Sequence, residues 1–287
     1  IIEGIPAGLG ITDTYINIQL SRRQAGHGRS KRMQIEHDTV DIISGIRDGK
    51  TIGSPISIFI SNNDYKNWKE KMSIDQLPKS HKKITLPRPG HADLAGIQKY
   101  GFDDIRNVIE RSSARETAMR VALGSICKKL LSDIGINIYS RVISIGSIKD
   151  NTNLLTNDYK KLHSKIDSSP LRCVNKNIEN KMIKIIDDCI EKGDSIGGEI
   201  EIHASGIPYG LGDYTQWDKK LHSLIASLIL SINGFKSLEI GSSKDDLRSL
   251  GSNFHDEIFW DDNQYIRGSN HAGGIEGGMT NAQPIII

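Results

Sequence analysis

Two short segments hold a density of side chains that could do chemistry: Arg88-Pro89-Gly90-His91-Ala92-Asp93 and, further along, Arg111-Ser112-Ser113-Ala114-Arg115-Glu116. Arginine grips phosphate and carboxylate through a fixed fork of donors, and histidine changes charge near neutrality. The pair of types suits a ligand with several negative groups and a step that moves a proton. Pro89 and Gly90 hold the chain extended before His91 and leave its imidazole sparsely hindered, as a general acid requires. A helix through Arg111 and Arg115 puts both on one face by their i,i+4 spacing. Ser112 and Ser113 near its start then add hydroxyl and backbone donors, with Asp93 and Glu116 placed to orient the arginines. The plainer alternative is a surface helix whose exposed pairs contribute ~0–1 kcal/mol each.

Two further segments are candidates. In Arg22-Arg23-Gln24-Ala25-Gly26-His27-Gly28-Arg29-Ser30-Lys31-Arg32, glycines beside arginines suit a loop that approaches a phosphate closely, with a solvated basic loop as the alternative. In Asn270-His271-Ala272-Gly273-Gly274-Ile275-Glu276-Gly277-Gly278-Met279-Thr280-Asn281, clustered glycines let backbone approach a flat or phosphorylated ligand. The segment lacks the G-x-G-x-x-G order of a dinucleotide turn and the Lys-Ser/Thr end of a P-loop, so a classical nucleotide fold is not expected. Only His91 sits among arginines in this way, behind a Pro-Gly pair; the other eight histidines read as structural.

The elements that must position these residues are mixed. Gly4-Ile-Pro-Ala-Gly-Leu-Gly10 recurs as Gly206-Ile-Pro-Tyr-Gly-Leu-Gly212, each copy following an apolar or alternating run and preceding a helix, which predicts a duplicated strand, turn and helix unit. Around the second copy, Gly198–Ala204 alternates as a half-buried strand and Asp218–Ile232 has helical apolar spacing. Val40–Ser44 and Ile56–Ser61 read as two strands of a hairpin. Phe102–Leu131 reads as one long helix or a broken pair, Ile136–Ile145 as β, and Asn175–Lys192 as a two-faced helix. Thr152–Arg172 carries no readable pattern.

Composition sets the outer bounds. A formal net charge of +2 over 287 residues is too balanced for a non-specific nucleic-acid binder, so any anion site is a local concentration of charge. Three cysteines without C-x-x-C spacing argue against a disulfide framework and a thiolate metal site, and fit a reducing cytoplasm. No apolar run approaches the ~20 residues that span a bilayer. Both ends fall in apolar runs that read as cut elements, Ile1-Ile2 and Ile285–Ile287, so the sequence is expected to be part of a longer protein.

These segments, in order, resemble the chorismate synthase family. The resemblance rests on Ile1–Pro6, Arg22-Arg23-Gln24, Gly28-Arg29, Ser44–Thr51, Arg88–Asp93, Glu110–Thr117, Gly193–Gly198, Glu239-Ile-Gly241, His255-Asp-Glu257 and Gly273–Thr280, and is collinear over nearly the whole chain. It implies an anti 1,4-elimination of phosphate from 5-enolpyruvylshikimate 3-phosphate, giving chorismate in the last common step of the shikimate pathway, with reduced FMN required. It leaves open whether NADPH reduces the flavin on the protein itself or the reductant is external. By the same resemblance His91 protonates the reduced flavin, and Arg23, Arg29, Arg88 and Arg115 surround the substrate's anionic groups, Arg23 and Arg29 matching substrate or nicotinamide-site positions. Arg111, Ser112, Ser113, Asn233, Gly234 and Gly277 contact FMN, with Gly278 the neighbouring register. The implied fold is α+β and internally duplicated, a helical layer between antiparallel sheets in one domain over 1–287, assembled as a homotetramer, with no nucleic acid, membrane or metal involved. Motifs that the family carries outside the printed segment, including a second histidine, are absent from it, and Ala282 stands where the family usually has glycine.

Overall fold

The computed structural model describes residues 1–29, 37–78, 80–154, 156–242 and 248–287. Ser30, Lys31 and Arg32 of the basic cluster lie outside the described residues. Contacts divide the chain into two compact units, the first made of residues 1–24 and 30–127, the second of 25–29 and 128–287.

In the first unit the helix Asp13–Gln24 opens where the Thr12 hydroxyl accepts the Tyr15 N–H at 3.2 Å, and it buries Ile16 and Leu20, one turn apart. Arg22 and Arg23 fall in its last turn, where cations oppose the negative end of the helix dipole. β1 (Val40–Ser44) and β4 (Ser57–Ile60) pair antiparallel as the expected hairpin. The connection is itself a smaller hairpin of β2 (Ile46–Arg47) and β3 (Lys50–Thr51), turning at Asp48-Gly49 with both φ positive, at 51° and 68°. Positive φ at both central residues is what lets a two-residue turn match the twist of its strands, and Asp-Gly is among the sequences that adopt it most readily.

The Phe102–Leu131 region is the broken pair, with helices Arg106–Ser112 and Glu116–Asp133. Ser113 separates them in an extended conformation, φ −65° and ψ 135°. Its hydroxyl accepts the Arg115 N–H at 3.2 Å and its carbonyl accepts the Glu116 N–H at 3.2 Å, so Ser113 caps the second helix and cannot continue the first.

The second unit is built on an antiparallel sheet in the order β13 (Ile285–Ile286), β7 (Gly198–Ser205), β5 (Asn137–Ile145), β6 (Ile148–Lys149). The helix Lys176–Lys192 is bounded by chemistry visible in the sequence. The Asn175 side chain accepts the N–H groups of Asn177 and Ile178, and Gly193 ends the helix at φ 67°. Buried Leu171, Cys173 and Met182 join Val142, Ile145 and Ile186 in a core. Thr156–Ser168, where no pattern is readable, is also helical. A second core of Ile136, Ile207, Ile275 and Ile285 underlies a three-stranded sheet of β8 (Tyr209–Gly212), β12 (Met279–Asn281) and β11 (Ile275–Glu276), and β9 (Ile258–Asp261) pairs with β10 (Gln264–Arg267). Every strand pair is antiparallel, so the class is α+β.

The repeated Gly-Ile-Pro segment takes the same form in each unit. In the first, the Thr51 hydroxyl donates to the Pro6 carbonyl at 2.6 Å and accepts the Leu9 N–H at 3.0 Å. In the second, the Thr280 hydroxyl donates to Pro208 at 2.6 Å and accepts the Leu211 N–H at 2.9 Å. The strand ahead of each copy bridges an isoleucine that follows a proline, Ile2 to Ile56 and Ala204 to Ile285. In the first unit that strand amounts to a single bridge. The likeness extends to Ser44-Gly-Ile-Arg-Asp-Gly-Lys-Thr51 against Gly273-Gly-Ile-Glu-Gly-Gly-Met-Thr280, a relation the hydrogen bonds make visible and the unaligned sequence hides.

Candidate active site

Arg88 and Asp93 close the loop that carries His91. The Asp93 carboxylate is fully buried and accepts Arg88 Nε at 2.9 Å, Arg88 Nη2 at 3.1 Å and the Arg88 backbone N–H at 3.0 Å. These charge-assisted bonds hold the Asp93 carboxyl at a pKa of about 2, the side-chain fork outweighing the opposing effect of burial. Arg88 is half exposed, with Nη1 directed away from this fork. Asp93 begins the helix Asp93–Tyr100, which Gly101 ends at φ 65°. His91 lies exposed at the loop's apex, between Gly90 at φ 74° and the helix start.

Arg23 and Arg115 meet on one carboxylate. Asp38, whose side chain is 2% exposed, offers Oδ1 to Arg115 Nη1 at 2.6 Å and Oδ2 to Arg23 Nη1 at 3.4 Å. Arg23 also donates from Nε and Nη2 to the Thr117 hydroxyl, at 3.2 and 2.9 Å, and Thr117 donates onward to the Ala114 carbonyl at 2.7 Å. Arg115 Nη2 donates to the Ser61 carbonyl at 3.3 Å. Two guanidiniums are held side by side on one buried carboxylate. Such a group attracts an anion without first having to order its arginines.

The i,i+4 face expected for Arg111 and Arg115 does not form, because the Ser113 cap interrupts the helix between them. Arg111 is exposed in the last turn of one helix and Arg115 precedes the first turn of the next. Ser112 ends the first helix and Ser113 spends its lone pair on the cap. Glu116 orients neither arginine, pairing instead with Arg120 one turn on at 2.9 Å.

The remaining residues named in the sequence analysis belong to the second unit. Arg29 donates to the Ala25 carbonyl at 3.3 Å, in a loop where His27 meets Asp187 at 2.6 Å. Asn233 and Gly234 form an exposed turn beyond the helix Leu221–Leu230, with Gly234 at φ 92° and open space around it. The four glycines of the C-terminal segment serve different ends. A Cβ on Gly273 would collide with the Gly241 backbone, one on Gly274 would sit 2.5 Å from the Pro284 carbonyl oxygen, and one on Gly278 would sit 2.8 Å from the Asp213 carbonyl oxygen. Those three let the protein's own backbone approach closely. Only Gly277, at the apex of the β11–β12 hairpin with φ 59°, faces open space.

Three contributors escaped the sequence reading. Asp38 and Thr117 position the two arginines. Asp256 organises the glycine segment, accepting Ser269 Oγ at 2.5 Å and the N–H groups of His271 and Ala272 at 2.7 and 3.0 Å. Burial pushes the Asp256 carboxyl up, but these donors outweigh it and its pKa falls below the ordinary value. Among the described residues no group of three or more His, Cys, Asp or Glu is placed to hold a metal, and no helix is long and apolar enough to cross a membrane.

The geometry can therefore bind anions through preset arginines and present an imidazole on a braced loop. A family model described as chorismate synthase matches residues 1–287. A relative named chorismate synthase 2, from Bacillus thuringiensis (strain Al Hakam), is 48% identical over 293 residues, an alignment spanning 100% of this chain and 75% of the relative. One named chorismate synthase, from Listeria welshimeri serovar 6b, is likewise 48% identical with the same coverage. A solved structure described as a crystal structure of chorismate synthase superposes with a TM-score of 0.81 at 40% identity, covering 99% of this chain and 77% of the other.

Proposed function

This chain belongs to the chorismate synthase family, a family of carbon–oxygen lyases, and we propose that Arg23, Arg115 and His91 carry that chemistry here. The observation that bears most weight is the buried Asp38 carboxylate shared by Arg23 and Arg115, which fixes two guanidiniums beside each other. The substrate, 5-enolpyruvylshikimate 3-phosphate, has one phosphate and two carboxylates. Breaking its carbon–oxygen bond to phosphate builds negative charge on the departing group, and fixed guanidiniums stabilise that charge as it develops. Arg88, through the donors its Asp93 fork leaves unused, is a further anion contact, and Arg29 matches an anion-contact position by the family resemblance.

Reduced FMN, when bound, supplies transient electron density to the elimination. By the family resemblance Arg111, Ser112 and Ser113 are flavin-contact positions, and so, separately, are Asn233, Gly234 and Gly277. The fit is supported by the open space at Gly234 and Gly277 and by the exposed Arg111 guanidinium, whereas the crowding around Gly278 makes Gly277 the better of the two neighbouring registers. His91 holds and delivers a proton at an imidazole nitrogen, with NADPH as a candidate reductant.

The twin Gly-Ile-Pro turns support an internal duplication within one catalytic domain, its helices layered between the antiparallel sheets. Exposed Phe259, Trp260 and Tyr265 on β9–β10 support association, here a homotetramer, and the free cysteines support a cytoplasmic setting. The test is chorismate formation by the full-length enzyme with added reduced FMN. His91→Ala should lose about 10²–10⁴-fold in turnover while still binding FMN and substrate. Near-normal turnover by that variant would return His91 to a structural role.

A further inference from the structure

We propose that Asp38 is a positioning residue for substrate binding, acting through Arg23 and Arg115; the proposal rests on the reading of those two arginines as substrate contacts. Asp38 comes from the segment entering β1, Arg23 from the last turn of the helix Asp13–Gln24, and Arg115 from the turn before the helix Glu116–Asp133. Three elements distant in sequence thus meet at one carboxylate. Its oxygens are divided, Oδ1 to Arg115 and Oδ2 to Arg23, so a single side chain sets the separation of two forks.

Each guanidinium also has a second anchor that Asp38 does not supply. For Arg23 it is the Thr117 hydroxyl, itself held by the Ala114 carbonyl, and for Arg115 it is the Ser61 carbonyl. Those two anchors are neutral, whereas Asp38 places a negative charge between the two guanidiniums and so offsets their repulsion. With it in place, the arginines meet an incoming anion already ordered.

Charge and geometry predict opposite outcomes when the carboxylate is neutralised. Asp38→Asn keeps the shape and raises the local charge by one, so if charge alone governed, the variant would bind the anionic substrate more tightly. Its amide nitrogen, however, must face one of the two guanidiniums donor to donor, which displaces that arm. Positioning therefore predicts weaker binding.

The experiment measures kcat, KM and substrate affinity for the full-length enzyme with reduced FMN. The variants are Asp38→Asn, Asp38→Glu, Arg115→Ala and the double change Asp38→Asn with Arg115→Ala. The expected result is a rise of about tenfold or more in KM and in the substrate Kd for Asp38→Asn, with FMN affinity unchanged. Once Arg115 is gone, Asp38→Asn should add little, because the two act as a unit. Unchanged or tighter substrate binding in Asp38→Asn, or full additivity in the double variant, overturns the proposal. If Asp38→Asn lacks the wild-type circular dichroism, Asp38→Glu decides, since it keeps the charge but shifts the carboxylate by one methylene. It should raise KM, and an unchanged KM overturns positioning. Should Arg115→Ala itself leave substrate affinity unchanged, the reading of the anion site has failed, an outcome distinct from a failure at Asp38 alone.

Discussion

The two Gly-Ile-Pro turns use the same threonine bridge, yet the hairpins fastened to them differ at their tips. In the first unit the tip is Asp48-Gly49, and a Cβ on Gly49 would meet nothing. In the second it is Gly277-Gly278, where Gly278 is pressed against Asp213 and Lys220 and its carbonyl accepts the Leu221 N–H at 2.8 Å. Gly53, at φ 80°, corresponds to Ala282, at φ 64°. Ile1, exposed, corresponds to His203, buried on β7. The threonine bridge is common to the two turns, while their tips and flanks differ.

The comparison can be broken most forcefully at Gly45 and Gly274. Each has positive φ, and an added Cβ would lie 2.6 Å from the Pro55 carbonyl oxygen in one case and 2.5 Å from that of Pro284 in the other. Gly45→Ala and Gly274→Ala should each cost about 3–5 kcal/mol, seen as a fall in the urea midpoint of the full-length enzyme. A large loss at one position and none at the other would mean that the turns are alike only in outline.

Acid should separate the two regions next. Burial lowers the pKa of His203, stacked on Tyr159 with ring centroids 3.8 Å apart, to about 4, so the fold keeps it neutral. The unfolded chain takes up the proton first, near pH 6.5, so this contribution to stability is whole above that pH and drains away as pH falls towards 4. It amounts to roughly 3 kcal/mol. His203→Phe retains an aromatic stack and should show a correspondingly shallower loss of stability between pH 6.5 and 4, read from urea midpoints at each pH. A slope equal to that of the wild type would mean that His203 titrates normally.

A smaller and symmetrical effect is expected from Thr51→Val and Thr280→Val. Each leaves one amide and one carbonyl of its turn without a partner, at a cost of about 1–3 kcal/mol. Hydrogen exchange should quicken at Leu9 in the first variant and at Leu211 in the second, and accelerated exchange at both sites in either variant would contradict local bridging. The smallest effects should have opposite signs. Gly53→Ala places a Cβ in left-handed backbone with only ordinary contact to Ala7, whereas Ala282→Gly relieves the same strain. Shifts of about 1 kcal/mol, downward for the first and upward for the second, should appear in thermal unfolding.

What the sequence reveals here depends on whether the deciding interaction is local. The helix Lys176–Lys192 was readable because its cap, Asn175, and its stop, Gly193, are adjacent in the chain. Thr156–Ser168 was not readable, since the deeply buried apolar side chains marking its inner face are Tyr159 and Ile166, two turns apart in a polar run. Arginines and His91 announce themselves by type and neighbours. Asp38 does not, because nothing around it in sequence shows that two distant arginines will close on it. Glycine advertises unusual backbone, but only the fold shows that Gly273, Gly274 and Gly278 yield to the protein itself while Gly277 does not.

The fork between Arg88 and Asp93 also bears on how the loop behaves during turnover. With the Asp93 carboxyl held at about 2, the brace keeps both its charges throughout the range in which a histidine gains and loses a proton. In the role proposed for His91, a proton moved at the imidazole would leave the charges of this support unaltered, and the loop would keep one geometry. Frame and moving part are chemically insulated from each other, although only one residue, Ala92, lies between His91 and Asp93.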